Sequence, residues 1–102
     1  MDWITEVSFL RKDTAELDSA ATVKEVLDQL ECYAPIFLRR GSDRYAVCLY
    51  VEADRLSEAT DRAESLVKLA FRDCGLAWPA TRRTIADIYI EEPAARDRYP
   101  SF

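Results

Sequence analysis

The side chains with chemical potential in this chain lie on two alternating runs: Cys48 with Tyr50, and Asp87 with Tyr89. A thiol, two phenols and a carboxylate gathered on one surface are the best catalytic constellation available. A reactive cysteine needs its thiolate stabilised, and no basic residue flanks Cys48 to lower its pKa. Histidine, the commonest general base, is absent from the chain. Glycine occurs only at Gly41 and Gly75, both explained by a turn and a helix end, so no phosphate-cradling loop can be drawn. Walker, GxGxxG, GxSxG and HExxH motifs are missing as well. These residues point to a protein that is not an enzyme and carries no cofactor.

The three cysteines, Cys32, Cys48 and Cys74, are widely spaced, form no CxxC pair and fall within apolar patterns. They read as small buried hydrophobes, so neither a metal site nor redox chemistry is expected. Free thiols suit a reducing compartment. The start Met-Asp-Trp-Ile-Thr-Glu lacks the pattern of a signal peptide, and no apolar run approaches the roughly 18 residues of a membrane span. The expectation is a cytoplasmic protein with no membrane partner. With 19 acidic and 14 basic residues the formal charge is -5, which disfavours nucleic acid held by phosphate neutralisation.

Several elements must position these groups. Trp3 to Leu10 alternates with aromatic and β-branched residues and reads as a strand. Arg11 to Asp18 is polar, a loop or a ragged helical turn. Thr22-Val-Lys-Glu25 offers a capping box for a helix, with Asp18 or Ser19 able to start it a turn earlier. Pro35 should end it near Ala34. Ile36 to Arg40, the turn Gly41-Ser-Asp43 and the apolar run Arg44 to Glu52 form a hairpin. Asp54 or Ser57 can cap a second helix that keeps the 3.6-residue period to Cys74 and ends at Gly75, with Leu76 folding back. On its outer face Glu58 with Arg62 and Glu64 with Lys68 form i,i+4 pairs. Arg83 to Glu91 is the last strand. Residues 1–92 form one α+β domain in this reading, and 93–102 a C-terminal tail.

The string βαββαβ is most simply satisfied by a ferredoxin-like sandwich, a four-stranded antiparallel sheet in the order 4-1-3-2 with two helices on one face. Tyr45, Val47, Leu49, Val51, Ala86, Ile88 and Ile90 should then meet the helices, with Trp3, Val7 and Phe9. The other face collects Ile4, Glu6, Ser8, Ala46, Cys48, Tyr50, Asp87 and Tyr89, plus one of Phe37 or Leu38. A contiguous apolar patch there requires a cover. The candidates are the tail from Pro93, Trp78, a second copy of the chain, or another protein.

RNA-recognition domains share this element string and carry a basic and aromatic motif on the third strand. Arg44 to Tyr50 resembles that motif only at Tyr45, Ala46 and Tyr50. Alternation sends Tyr45 and Tyr50 to opposite faces, so no base-stacking platform is expected.

The same topology gathers Arg11, Lys12, Arg39, Arg40, Arg44, Arg82 and Arg83 at one end of the sheet, and Asp2, Asp54, Glu91 and Glu92 at the other. Helix 1 starts at the basic end, where its free N–H groups favour an anion. Asp13, Glu16, Asp18, Asp43 and Asp73 lie there too and would neutralise the cations.

Three functions fit. The first is a non-catalytic interaction module that homodimerises or docks a protein partner through Ile4, Ala46, Cys48, Tyr50, Asp87 and Tyr89. The second is an acidic inhibitor or immunity-type protein for a basic target. The third is an anion- or nucleotide-binding regulatory domain using Arg39, Arg40, Arg44, Arg82 and Arg83.

Overall fold

Alternating apolar residues in two nine-residue segments pair to make the centre of the structure. The computed structural model describes residues 1–89. Its strands are β1 (Asp2–Leu10), β2 (Ile36–Arg40), β3 (Arg44–Glu52) and β4 (Arg82–Ile88), and its helices are α1 (Ala20–Gln29) and α2 (Leu56–Asp73). The strands form one antiparallel sheet in the order β2-β3-β1-β4. β1 and β3 pair over their full length, from Asp2 opposite Glu52 to Leu10 opposite Arg44.

The odd-numbered face of this pair is the core. Trp3, Val7, Phe9, Tyr45, Val47, Leu49 and Val51 are buried in one cluster with Val26 of α1 and with Ala59, Ala63, Val67, Ala70 and Phe71 of α2. Small residues on α2 let its backbone approach the sheet, and Phe71 then fills the space beside Phe9, ring centroids 5.1 Å apart. Two buried polar groups on this face find backbone partners across the pair. Thr5 Oγ1 donates to the Leu49 carbonyl at 2.9 Å, and Trp3 Nε1 to the Ala53 carbonyl at 3.0 Å. Satisfied in this way, they cost little and discriminate against other registers.

Arg11–Asp13 and Ala15–Asp18 are short 3-10 turns, the ragged helical alternative for this stretch. Of the starts the sequence offers for α1, Ser19 is the cap, its side chain accepting from the Thr22 N–H at 3.4 Å. Other boundaries differ from the sequence reading. The helix stops at Gln29, and a 3-10 turn, Glu31–Tyr33, carries the chain to Ala34, which is left-handed at φ 49°. Ala34, directly before Pro35, thus lies outside the right-handed α region that the proline disfavours. At α2 the N-cap is Arg55, without a side-chain cap, in place of Asp54 or Ser57. The Glu58–Arg62 pair forms at 2.9 Å. Glu64 instead reaches across to Arg82 on β4, because the tertiary fold offers it a guanidinium in place of Lys68.

Ala86 packs on the core, but Ile88 is 43% exposed. It lies at the end of an edge strand with a neighbour on one side only. Ile90, Glu91, Glu92 and the tail 93–102 lie outside the described residues.

The end of α2 follows its sequence signal. Gly75 has φ 72°, its N–H donates to the Arg72 carbonyl at 3.1 Å, and the Leu76 N–H to the Phe71 carbonyl at 2.8 Å. This is a Schellman closure. A Cβ at Gly75 would meet nothing within 4 Å, so a substitution there is opposed by backbone conformation alone. Gly75→Ala should cost about 1 kcal/mol in urea unfolding, with an unchanged m-value.

Candidate functional site

On the even-numbered face the register lays the side chains out in rows. The central row is Ile36, Cys48, Glu6 and Ile85, from β2 to β4. Toward one end follow Leu38, Ala46, Ser8 and Arg83, then Arg40, Arg44 and Leu10. Toward the other end follow Tyr50, Ile4 and Asp87, then Glu52 and Asp2. Tyr89 joins the last row, its N–H donating to the Asp2 carbonyl at 2.9 Å.

Of the residues singled out from sequence, Ile4, Tyr50, Asp87 and Tyr89 are exposed here and Cys48 is half-buried. Tyr50 and Tyr89 meet edge to face with centroids 5.3 Å apart. Since β1 separates their strands, the two rings close over it beside Ile4. Ala46 departs from expectation: it belongs to this face but is fully buried. Its short side chain sits below the level of its neighbours, where Arg40 on β2 reaches over β3 to pair with Glu6 on β1 at 2.5 Å. Ala46 is therefore floor and not contact surface. Leu38, paired with Ala46, supplies the residue left open between positions 37 and 38. Phe37 turns to the core and packs against the Tyr45 ring at 5.1 Å.

Two contributors were missed, Ile36 at 52% and Ile85 at 55% exposure. The signal for Ile85 was present, since it shares the parity of Asp87. Ile36 could be placed only by counting back through the hairpin register from Cys48. Trp78, a candidate cover for this face, packs instead edge-on against Phe9 and Phe71, on the helix side.

The polar groups are arranged around the central row. Cys48 Sγ lies 3.7 Å from Glu6 Oε1. Burial, and then the adjacent carboxylate, push the Cys48 thiol up to about 11. Arg44 Nη2 donates to Ser8 Oγ at 3.2 Å, and Ser8 Oγ donates to the Arg83 carbonyl.

The pleat divides the basic residues that topology gathers at one end. Arg40, Arg44 and Arg83 lie on the open face, while Arg39 and Arg82 fall on the helix side. Arg82 pairs with Glu64 and lies over the Trp78 ring at 5.2 Å, and Arg39 lies 5.9 Å from the Tyr45 ring centroid. Arg11 forms a forked pair with Asp18 at 2.9 and 3.2 Å, and Asp18 also accepts from the Tyr45 hydroxyl. A cleft of about 500 Å³ beside this cluster is lined by Arg11 and Lys12, but equally by Asp18 and Asp43. Its charges cancel.

Among the described residues, no group of three or more cysteines and carboxylates is placed to hold a metal ion, and no helix is long and apolar enough to cross a membrane. The chain matches no protein-family model, no curated protein and no solved structure.

Two measurements probe these groups. At pH 8 only about one Cys48 thiol in a thousand is ionised, given a value near 11. Cys32, which is exposed, should therefore label with a maleimide far faster than Cys48, as read by peptide mass mapping. Arg11 and the Tyr45 hydroxyl hold Asp18 below the ordinary aspartate value of 3.8. A group lowered on folding contributes stability above its unfolded value and loses it as pH falls through its folded one. Asp18→Asn should thus lower Tm at pH 7, and the gap to wild type should begin to narrow only as pH falls below about 4.

Proposed function

We propose that this chain is a small non-catalytic interaction module that assembles through the open face of its sheet. The carrying observation is the set of apolar side chains left in solvent on one face. Ile4, Ile36, Tyr50, Ile85 and Tyr89 are each between 38% and 55% exposed; Ile36 and Ile85 end the central row, and Ile4, Tyr50 and Tyr89 lie on one side of it. Scattered exposed hydrophobes are ordinary, but neighbours in register on one sheet face form a patch.

The strand order read from the β4 edge is 4-1-3-2, which supports the ferredoxin-like plan with both helices over the opposite face. We take residues 1–92 as its single domain and its setting as cytoplasmic, in keeping with three free thiols. The sheet edges are poor alternatives for assembly. β2 is five residues long and carries Arg39 and Arg40, and β4 begins with Arg82 and Arg83. Short, charged edges oppose strand addition, which leaves the face.

The arginines favour this reading over anion binding, because they are shared between two faces and several are engaged with Glu6, Glu64 and Ser8. An acidic inhibitor of a basic target rests on the small size of the chain, the charge of -5 and the lack of a catalytic motif. It would bind with strong salt sensitivity, whereas a contact driven by apolar burial survives added salt.

Tyr50→Arg places a charge in the patch on a side chain already exposed. The wild-type particle should exceed the 11.7 kDa monomer in size-exclusion chromatography with light scattering. The variant should run as the monomer with an unchanged circular dichroism spectrum. A variant that keeps the assembled mass would overturn the proposal.

A further inference from the structure

The open face is electrically polarised along its strands. On one side of the central row lie Arg44 and Arg83, together with Arg40 paired to Glu6, and on the other lie Asp2, Glu52 and Asp87. Ile36, Cys48 and Ile85 occupy the middle, around a Glu6 whose charge is paired with Arg40. Building on the reading that this face is the contact surface, we infer that its occupant is a second copy of the same chain. The two copies are related by a two-fold axis that runs across the strands along the row Ile36, Cys48, Glu6 and Ile85.

The size of the face makes its ends part of the contact. Four strands at about 4.8 Å spacing and seven residues at about 3.4 Å give roughly 19 by 24 Å, or about 450 Å² in projection. Two copies contribute about 900 Å², close to the minimum of about 1,000 Å² for a specific interface. A contact that must use the whole face cannot leave its charged ends outside.

Two sheets packed face to face can be related by a two-fold axis parallel or perpendicular to the strands. A parallel axis lays basic end on basic end and acidic on acidic. A perpendicular axis reverses the strand direction and lays each basic end on an acidic one. The register makes the second arrangement specific. One row from the axis, Arg83 faces Asp87 of the second copy; two rows from it, Arg44 faces Glu52 of the second copy. Each pair occurs twice by symmetry. Ile85 meets itself on the axis, and the Tyr50 ring falls at the level of Ala46 and Ser8, where the Arg40 side chain lies over Ala46. Aligned sheets cross at about 30°, a displacement that arginine side chains near the axis can span. The apolar rows supply affinity, and the charge pattern selects the orientation.

Arg83 and Asp87 are both exposed on an edge strand, so reversing either leaves the core intact. In sedimentation equilibrium of the full chain, Arg83→Glu and Asp87→Arg should each raise the dimer dissociation constant at least tenfold. The double variant Arg83→Glu/Asp87→Arg should return it to within about threefold of wild type, since both ends are exchanged together. Single reversals without effect, or a double variant no better than the singles, overturn the orientation. If Tyr50→Arg still abolishes the dimer in that case, the open face stands as the contact and only the axis is wrong. A wild-type chain that stays monomeric at millimolar concentration overturns the second copy as occupant, in favour of the tail or another protein.

Discussion

Every assignment of a side chain to a face follows from the antiparallel ladder between β1 and β3. Each of its nine pairs, Asp2 with Glu52 through Leu10 with Arg44, puts two even or two odd residues on one side of the sheet. A slip of one residue in either strand would mix the sets, driving Glu6 or Cys48 toward the helices while exposing Val7 or Leu49. The apolar odd face makes such a slip costly, and the bonds from Thr5 and Trp3 to backbone carbonyls reinforce the choice with buried polar groups that would otherwise lose their partners. β2 and β4 are then aligned on this pair, and the row structure of the open face is a consequence of core burial on the opposite side.

Charge enters at a second level. The exposed ion pairs, Arg11 with Asp18 and Arg62 with Glu58 among them, contribute little to folding free energy. Their effect is on arrangement. Glu6, in the middle of an apolar row, is compensated by Arg40 reaching over β3, so the centre of the face carries a paired charge and not an isolated one. Glu64 holds Arg82 on the helix side beside Trp78, which removes one cation from any common basic site. The remaining charges on the open face are segregated by end, a pattern that two copies of one surface can satisfy only in one orientation.

The same geometry accounts for the raised pKa of Cys48. A half-buried thiol beside a carboxylate is disfavoured as thiolate twice over, once by desolvation and once by repulsion. Arg40 works against this, but its charge is already committed to Glu6. A cysteine in this position behaves as a small apolar filler of the central row.

The sequence by itself determined what period and local backbone chemistry can encode. Alternation separated Tyr45 from Tyr50, the 3.6-residue stripe marked the buried side of α2, and Gly75 with Leu76 marked its end. These signals depend on neighbours a few residues away, so they are complete in the linear text. Tertiary structure decided which distant residues became neighbours. It buried Ala46 beneath longer side chains, brought Ile36 into the patch, gave Glu6 to Arg40 and Glu64 to Arg82, and sent Trp78 to the helix side. No local pattern could select these partners, because each depends on a register between segments 18 to 34 residues apart or more, fixed only when the whole core is buried at once.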